Sequence, residues 1–336
     1  MKAARLGIVL VNWNRWADTI ECLESLRRAS GDFRVVVVDN ASADGSADRI
    51  EAWARGEQMA EAAEPEMARF SQPACAKPVP CRRLTVPDPS NAGDEWLTLI
   101  DSGSNLGFAG GNNVGLRHLF ADPNIGPFWL LNNDTVVEPA APVALFDYLS
   151  GAPKIGICGT IVRFYHRPET VQALNGSRFN RWTGTSSGIG AGTAAKASFD
   201  AADVARDTDF VLGASLAVSR AFLETVGLME ESYFLYFEEM DWSWRNRGRF
   251  ATGFADRAVI YHKEGGSIGS SSDKGGRSLL SEYYLMRSKL KLVARHRPWL
   301  LPVHWGVAAA QIALRVARGQ PDKAVVMTRA LFGLRG

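Results

Sequence analysis

Four apolar runs in the first half of the chain each end in polar side chains that could bind a ligand. The residues at these ends are Asn12 with Asn14, Asp39, Asn105, and the trio Asn132, Asn133 and Asp134. Amides and carboxylates hydrogen-bond bases, sugars and phosphates, and a carboxylate is also a preferred ligand of hard divalent cations. Any one of them is typical of a turn or a helix cap, but four at successive strand ends favour a shared binding site.

A second cluster of chemically useful residues contains three carboxylates, Glu238, Glu239 and Asp241. Aromatic residues surround them in the sequence: Tyr233, Phe234, Tyr236, Phe237, Trp242 and Trp244. Apolar neighbours raise the pKa of a carboxylate, as a general base requires, and aromatic rings can face a sugar. The alternative is a solvated acidic start of a helix, which the helix dipole also favours. Asp241 and Arg245 are four residues apart, which predicts a structural ion pair.

The hydrophobic pattern predicts the scaffold for these residues, an alternation of buried strands and helices. Predicted strands cover residues 6–11, 34–38, 96–100 and 128–132, and the helices that follow them cover 16–29, 44–55, a segment running to Leu119 and one that opens at Pro139. This alternation indicates an α/β fold whose mostly parallel sheet carries helices on both faces. Ligands of such sheets bind outside the carboxyl ends of the strands, where the polar residues lie.

The rest of the chain is less regular. We interpret residues 57–95, which are rich in Ala, Glu and Pro, as a surface insertion. Further predictions are a strand at 155–162, a loop or hairpin over 175–198, a strand at 210–219, a short helix ending near Gly227, a helix ending at Gly248, and extended chain before His262. Apolar residues recur every three or four positions over 278–297, which predicts an amphipathic helix.

Composition narrows the function classes. The chain of 336 residues has a formal net charge of +2, but residues 282–336 hold ten Lys and Arg against two Asp and Glu. The acidic remainder argues against a nucleic-acid binder, whereas the basic C-terminal end fits an anionic surface. Four cysteines without a CxxC pair are no disulfide framework and fit a reducing cytoplasm. The opening residues do not read as a signal peptide, and the apolar stretch from Trp299 to Leu314 falls short of the ~20 apolar residues that a membrane helix needs.

The glycine-rich stretch GSNLGFAGG, residues 103–111, lacks both common phosphate-binding signatures. It has no GKS or GKT ending, and its spacing is not GxGxxG. Its glycines, Gly107 among them, would still let the backbone approach a ligand. The sequence VNWNRWADT after the first strand also lacks the Gly-rich loop with Arg and Lys that a sugar nucleotidylyltransferase needs for a triphosphate.

Seven segments together resemble the family 2 glycosyltransferases of GT-A fold, especially their bacterial rhamnosyltransferase-like branch. The segments are IVLVNWN, VVVVDNASADGS, SNLGFAGGNN, LLNNDT, DFVLGASLAVSRAFLETVG, YFLYFEEMDWSWR and YHKEGGS, in the family's order across residues 7–267. The resemblance implies a GT-A nucleotide-diphospho-sugar transferase fold and sugar transfer from a nucleotide donor. It does not specify the sugar.

The resemblance also implies the residues that bind the donor. Asp39 corresponds to the family's aspartate that accepts the imide N–H of a uracil or thymine base. The other positions expected to bind the nucleotide-sugar are Asn12, Asn14, Asn105, Gly107, Asn112 and Asn132. Uncharged amides at such positions can hydrogen-bond base, ribose or phosphate.

A divalent-metal cofactor is implied as well, because the family places a DxD-like motif after the fourth strand. Here the motif is Asn132-Asn133-Asp134, so a neutral amide replaces the first carboxylate. Asp134 is then the one charged oxygen ligand of the motif for Mg²⁺ or Mn²⁺. His262 in YHKEGGS corresponds to a histidine that completes the metal site in some relatives.

Glu239 corresponds to the family's aspartate that takes the proton of the acceptor hydroxyl as the sugar transfers with inversion. The longer glutamate arm leaves the choice between Glu239 and Glu238 open. We expect residues 1–135 to form the nucleotide-sugar-binding half of the domain and 136–270 its acceptor-binding and catalytic half. Residues 278–336 are expected to form a basic amphipathic helical region.

The function implied by the resemblance is a hexosyltransferase of cell-surface polysaccharide synthesis. The preferred donor is dTDP-rhamnose, and the preferred acceptor is a glycan linked to a polyprenyl diphosphate or another lipid. Galactofuranosyl transfer, or transfer from another UDP-sugar, is the alternative. The alternative from another class is an inactive carbohydrate-binding or scaffold protein, because the motif lacks one carboxylate. The expected location is the cytoplasm, and peripheral contact with the inner face of the cytoplasmic membrane is the open alternative.

Overall fold

The computed structural model describes residues 4–85, 93–264 and 277–334. The β-strands in these ranges are β1 (Arg5–Asn12), β2 (Phe33–Asp39), β3 (Cys81–Leu84), β4 (Leu97–Asp101), β5 (Ile125–Leu131), β6 (Thr135–Val137), β7 (Ile155–Phe164), β8 (Arg167–Leu174), β9 (Gly176–Asn180), β10 (Thr185–Gly188), β11 (Phe210–Val211), β12 (Ser215–Val218) and β13 (Ala251–His262). The α-helices are α1 (Trp16–Arg27), α2 (Ser46–Arg55), α3 (Gly107–Phe120), α4 (Ala141–Gly151), α5 (Ala201–Asp207), α6 (Arg220–Val226), α7 (Glu238–Asn246), α8 (Leu279–His296), α9 (Leu301–Ala317) and α10 (Pro321–Leu331). Short 3-10 helices cover Pro65–Phe70 and Pro298–Leu300.

One mixed sheet organises these elements. Its strand order is β3-β4-β2-β1-β5-β12-β7-β13-β6, and β8 pairs with β7 beside this path. The pairs from β3 to β5 are all parallel, as is β7 with β13. Strand β12 runs antiparallel to both β5 and β7. The parallel strands β4, β2, β1 and β5 therefore deliver the polar residues that follow them to one edge of the sheet.

Helices cover both faces of this sheet. On β1, Ile8 and Leu10 belong to a core shared with α1, α2 and α4, whereas Val9 belongs to a core shared with α3 and α6. Successive side chains of a strand point to opposite faces, so an unbroken apolar run is what a strand buried on both faces requires. The predicted α/β class, with a largely parallel central sheet and helices on both faces, is confirmed.

The segment 57–95 differs from the predicted surface insertion. Where it is described, Met67 and Phe70 are buried against Tyr165 and Tyr261, and β3 adds a parallel edge strand to β4. The prediction of a surface insertion is wrong for these residues. The segment has little hydrophobic periodicity, so the pattern did not indicate that Met67 and Phe70 are buried. Residues 86–92 lie outside the described residues, as do residues 265–270 at the end of the predicted second half.

The second half of the chain adds mostly antiparallel pairs. The predicted hairpin within 175–198 is present as β9 and β10, which form a small sheet with β11. Strand β8 was not predicted, because only its last four residues carry the buried apolar side chains that mark a strand. The strand predicted over 210–219 is two short strands, β11 and β12, separated by a turn that contains Gly213.

Helix α8 confirms the amphipathic helix predicted over 278–297, and it packs on the sheet domain. Leu292 lies in one cluster with Tyr233 and Met240, and the hydroxyl of Ser288 donates to the carbonyl of Leu235 at 2.8 Å. Helices α9 and α10 pack on the other side of α8 but leave apolar side chains in solvent. The exposed ones in this region are Trp299, Val303, Trp305, Leu314, Val316, Val325, Phe332 and Leu334.

The apolar stretch around α9 is longer than the sequence alone indicates. Among the described residues, Pro298–Ala317 is long and apolar enough to cross a membrane by length and composition, and 17% of its apolar window is buried. The expectation that this stretch falls short is wrong, because Pro302 lies in the first turn of α9, where proline does not interrupt a helix.

Candidate functional site

A cavity of about 510 Å³ is lined by residues that follow the strand ends. Its polar lining is formed by Asn40, Asn105, Asn132, Asn133, Asp134, Gln172, His262 and Glu264. The remainder is mostly aromatic and aliphatic: Val11, Trp13, Phe108, Leu212, Phe234, Leu235, Tyr236, Leu280 and Tyr284, with Gly107 between them. A cavity of this size with a few convergent polar groups is typical of a small-molecule site.

Asp39 directly precedes Asn40 of the cavity lining, and two neighbours hold its carboxylate. The parallel register sets Asn12 opposite Asp39, and Asn12 Nδ2 donates to Asp39 Oδ1 at 2.7 Å. Ser42 donates its hydroxyl to Oδ1 at 2.6 Å and its backbone N–H to Oδ2 at 3.1 Å. Three donors thus orient the carboxylate, and one lone pair of Oδ2 is left for a ligand.

Four predicted nucleotide-sugar residues are not part of the cavity lining: Asp39, Asn12, Asn14 and Asn112. The side-chain amide of Asn12 donates to Asp39, as described. Asn14 Oδ1 accepts the backbone N–H of Ala43 at 2.7 Å, which ties the loop after β1 to the loop after β2. Asn112 Nδ2 donates to the carbonyl of Phe108 one turn earlier in α3, at 2.9 Å. Asn12, Asn14 and Asn112 thus hydrogen-bond neighbouring groups, and their contact with a nucleotide-sugar stays a prediction.

Asn105 and Gly107 do line the cavity, and they fix the loop before α3. Asn105 Oδ1 accepts from Asn40 Nδ2 and from the backbone N–H of Gly107, both at 3.0 Å. Gly107 has a φ of +70°, and a Cβ there would lie 2.2 Å from the carbonyl oxygen of Phe234. Only glycine fits this close approach, which brings the aromatic segment against the start of α3.

Asp134 and His262, the two predicted metal ligands, lie in direct contact with each other in the cavity lining. The antiparallel register of β13 and β6 sets His262 opposite Thr135, and Asp134 Oδ1 lies 3.2 Å from His262 Nε2. Burial disfavours the charged forms, but the attraction between the two side chains outweighs it. The pKa of Asp134 is therefore lowered and the pKa of His262 is raised. Asn132, also predicted, lies 3.5 Å from the same imidazole nitrogen.

The donor atoms of this pair fit a divalent cation. His262 Nδ1 lies 2.9 Å from Gln172 Oε1, which can only accept, so Nδ1 donates to it and Nε2 donates to Asp134. A cation that replaced the Nε2 proton would lie between this nitrogen and the Asp134 carboxylate. A carboxylate together with an imidazole nitrogen suits Mn²⁺ better than Mg²⁺, because Mg²⁺ prefers oxygen ligands. Within the described residues, no group of three or more His, Cys, Asp and Glu side chains could hold a metal alone. A cation here would need further oxygen ligands from outside the protein chain.

The two candidate bases, Glu238 and Glu239, begin α7 after a turn in which Tyr236 and Phe237 both have positive φ. Neither lines the 510 Å³ cavity itself, although Tyr236 does. Glu238 is buried, and its Oε2 has no hydrogen-bond partner among the residues that the structure describes. Glu239 is partly exposed and lies over Gly213, next to Leu212 of the cavity lining. Burial raises the pKa of both carboxyls, that of Glu239 to about 7.

We expect Gly213→Ala to displace the Glu239 carboxylate, because a Cβ at position 213 would lie 2.0 Å from Glu239 Oε1. If Glu239 is the base, turnover should fall by about 10²-fold, the effect of misplacing a reacting group by ~1 Å. Gly151→Ala is the matched control, since a Cβ there meets nothing within 4 Å. Steady-state kinetics of the two variants measure the effect, and equal turnover in both would remove Glu239 from the reaction.

Asp241 and Arg245 form the structural ion pair that their spacing predicted. Arg245 Nε donates to Asp241 Oδ2 at 2.7 Å, and the same guanidinium binds the carbonyls of Val226 and Leu228. His296 of α8 contacts Asp241 Oδ1 at 2.7 Å. Asp241 therefore ties α7 to α8 and takes no part in the cavity.

Several cavity residues escaped the sequence reading. Trp13 stands between two predicted asparagines, and its type and place were a usable signal. Gln172 lies on the unpredicted strand β8, where nothing marked it. Tyr284 reaches the cavity from α8 and stacks on Phe234 with ring centroids 4.9 Å apart. The sequence predicted α8 but gave no sign that this helix closes the cavity.

Comparison with known proteins bears on the N-terminal part of the chain. Residues 7–61 match the family model described as glycosyl transferase family 2. This segment is similar to family 2 glycosyltransferases. It holds Asn12, Asn14 and Asp39 with the elements that position them.

A curated relative and two solved structures were also found. The low-salt glycan biosynthesis hexosyltransferase Agl10 of Haloferax volcanii is 27% identical over 163 residues, which cover 44% of this chain and 45% of that protein. The chain thus matches about half the length of this relative. The mannosyltransferase PcManGT from Pyrobaculum calidifontis, in complex with GDP-Man and Mn²⁺, aligns over 99% of this chain and 87% of its own, with 13% identity and a TM-score of 0.47. TarS of S. aureus aligns over 87% of this chain and 40% of its own, with 10% identity and a TM-score of 0.45.

Proposed function

We propose that this protein is a glycosyltransferase that moves a sugar from a nucleoside diphosphate to an acceptor hydroxyl. The observation that carries the proposal is the convergence of Asn105, Asn132, Asp134 and His262 on one cavity beside the oriented carboxylate of Asp39. The match of residues 7–61 to glycosyl transferase family 2 supports it. In this proposal residues 1–135 bind the donor, and residues 136–270 supply the acceptor side and the base.

Asp39 is the residue proposed to recognise the nucleobase of the donor. The free lone pair of Oδ2 can accept the imide N–H that uracil and thymine carry and cytosine lacks. We therefore favour a dTDP- or UDP-sugar, with dTDP-rhamnose preferred and UDP-galactofuranose or another UDP-sugar as alternative. Asn105 and Asn132, which line the cavity, would hydrogen-bond the ribose or the diphosphate.

Asp134 and His262 would hold a divalent metal ion, which would supply Lewis-acid neutralisation of the departing diphosphate. Glu239 accepts the proton of the acceptor hydroxyl, whose oxygen then bonds to the anomeric carbon of the donor sugar. The bond from that carbon to the diphosphate oxygen breaks on the opposite side, so the configuration inverts. Glu238 is buried, and burial together with the neighbouring Glu239 carboxylate raises its pKa, so it stays protonated and does not compete for the proton.

The enzyme assay uses a panel of dTDP-, UDP- and GDP-sugars with Mn²⁺ or Mg²⁺ and measures release of the nucleoside diphosphate. Release from at least one pyrimidine donor is expected, even without acceptor, through slow hydrolysis. Binding of a donor without any release, with or without glycan acceptors, would favour the inactive carbohydrate-binding protein. Binding of no donor at all would contradict both.

We also propose that the C-terminal region attaches the enzyme to an anionic membrane, where a lipid-linked glycan acceptor would be met. Trp299 is 68% exposed and Trp305 44% exposed, and Arg297 lies just before Trp299 in the sequence. Basic side chains at an anionic leaflet contribute ~1 kcal/mol each, and inserted Trp and Leu side chains add apolar burial. The opposing possibility is that this face is covered by another protein.

The double variant Trp299→Ala/Trp305→Ala is expected to bind phosphatidylglycerol-containing liposomes at least about tenfold more weakly than wild type. Cosedimentation at low salt measures this, with neutral liposomes as the lipid control. Trp182→Ala is the matched protein control, because Trp182 is 54% exposed on the hairpin. Failure of the wild type to sediment with anionic liposomes would leave a protein-covered face.

A further inference from the structure

A second cavity, about 340 Å³ in volume, lies between the β9–β10 hairpin and helices α8 and α9. Four cationic side chains line it, Arg277, Lys289, Arg315 and Arg318, against one carboxylate, Glu282. Arg315 donates to Glu282, which neutralises that pair. Within the described part of the chain, Arg277 and Arg318 form no ion pair. The cavity therefore carries an excess of positive charge.

Lys289 is the most telling of these residues. It is 5% exposed, and its ammonium has one hydrogen-bond partner among the described residues, Gln311 Oε1 at 3.3 Å. No described carboxylate lies within ion-pair distance of it, and burial lowers its pKa. A buried ammonium without a counter-charge is unfavourable unless something else supplies one. Gly184 permits the arrangement, because a Cβ there would lie 2.5 Å from the Cδ of Lys289.

The basic cavity adjoins the proposed catalytic residues. Phe237 lines it, whereas its neighbour Tyr236 lines the 510 Å³ cavity. The hydroxyl of Tyr236 donates to Ser281 Oγ at 3.0 Å, just before Glu282 in α8. The two cavities thus flank one turn, and that turn leads directly into Glu238 and Glu239 at the start of α7.

We propose that the basic cavity binds a phosphate or diphosphate group. This group belongs to the acceptor, in which it joins the glycan to a lipid. A phosphate group offers several acceptor oxygens to Lys289, Arg277 and Arg318 and supplies the missing negative charge. Held there, it places the glycan that it carries beside Glu239. The inference rests on the proposed glycosyl transfer for its biological meaning, but the anion site itself can be tested without any activity.

The probe is inorganic diphosphate, titrated calorimetrically into the full-length protein at low salt with EDTA, so that no metal assists binding at Asp134. Saturable binding is expected, and Lys289→Met and Arg318→Gln should each weaken it at least about tenfold. Lys289→Arg should restore most of the affinity. Arg329→Gln, which removes the same charge from an exposed residue outside the cavity, should bind as wild type does.

One further variant and a stability measurement separate the possible failures. His262→Gln should keep its diphosphate affinity, because it removes the imidazole of the proposed donor site and leaves the basic cavity unchanged. A loss in this variant would mean that the probe occupies the proposed donor site and would overturn the second site. A merely structural Lys289 would give a less stable Lys289→Met variant with unchanged diphosphate affinity, which also overturns the proposal. If the protein releases no nucleoside diphosphate from any donor but passes the titration, the proposed function fails and the anion site stands.

Vesicles distinguish the source of the phosphate. Wild type and Lys289→Met are compared on phosphatidylcholine vesicles with and without phosphatidic acid. Equal binding of both proteins, together with the loss of diphosphate affinity in the variant, supports an acceptor phosphate. Selective loss of phosphatidic-acid binding by Lys289→Met would assign the cavity to a membrane-lipid headgroup and overturn the acceptor assignment.

Discussion

Replacing Asp134 with alanine is expected to lower sugar transfer at least about a thousandfold. Asp134 is the one carboxylate of the Asn132-Asn133-Asp134 motif, and its Oδ1 lies 3.2 Å from His262 Nε2. Removing it leaves the imidazole as the single strong protein ligand for a cation. A Lewis-acid cation is worth several kcal/mol of transition-state stabilisation, and each 1.36 kcal/mol corresponds to about tenfold in rate. Steady-state transfer with saturating Mn²⁺ measures the loss.

Asp256→Ala is the matched control, because Asp256 is an exposed aspartate on the same strand as His262. Circular dichroism and thermal unfolding should show that Asp134→Ala remains folded. Exhaustive chelation of the wild type should mimic the variant, and added Mn²⁺ should restore the wild type only. Full activity of folded Asp134→Ala, or of metal-free wild type, would contradict a metal-dependent mechanism.

Glu239→Gln is expected to lower turnover at least about 10²-fold while leaving donor affinity nearly unchanged. The amide keeps the size of the side chain but cannot take a proton. Glu239 is favoured over Glu238 because it is partly exposed beside Leu212 of the cavity lining, whereas Glu238 is buried. Turnover and the dissociation constant of the donor are measured for both glutamine variants. Unchanged turnover in Glu239→Gln together with strongly reduced turnover in Glu238→Gln would assign the general base to Glu238.

The pH profile tests the same assignment independently. A general base acts in its deprotonated form, and burial raises the pKa of Glu239 to about 7. The value of kcat/KM should therefore rise as the pH increases through about 7 and fall towards acid, where the carboxyl is neutral. The residual activity of Glu239→Gln should lack this step. A step that persists in Glu239→Gln would assign it to another group.

The sequence was sufficient for the architecture of the first half because burial there follows simple periods. Alternating strands and helices gave β1, α1 and β2, and the buried run on β1 serves both faces of the sheet. The prediction failed where few side chains carry the packing, as at Met67 and Phe70. It also failed at α9, because composition did not show that a proline in the first turn leaves the helix intact.

The sequence predicted several residues of the site but not which of them line the cavity and which hydrogen-bond other residues of the protein. The strand-end rule brought Asn105, Asn132 and Asp134 to one cavity as expected. The positions of residues at strand ends could not show that the amides of Asn12 and Asn112 hydrogen-bond neighbouring groups of the protein. Hydrogen-bond partners depend on side-chain geometry, which sequence spacing does not determine. Gln172 was missed for another reason: it lies on β8, a strand that the hydrophobic pattern did not predict.

The most direct test of the proposed donor site is pulsed EPR of Mn²⁺ bound to the protein with dTDP or UDP. The account predicts a nitrogen hyperfine coupling from His262 that requires the nucleoside diphosphate, because the protein offers too few ligands alone. His262→Gln should abolish the coupling, whereas His166→Gln, at an exposed histidine, should retain it. Mn²⁺ that shows no nitrogen coupling in the presence of either nucleotide, or a coupling that survives in His262→Gln, would contradict the Asp134–His262 site.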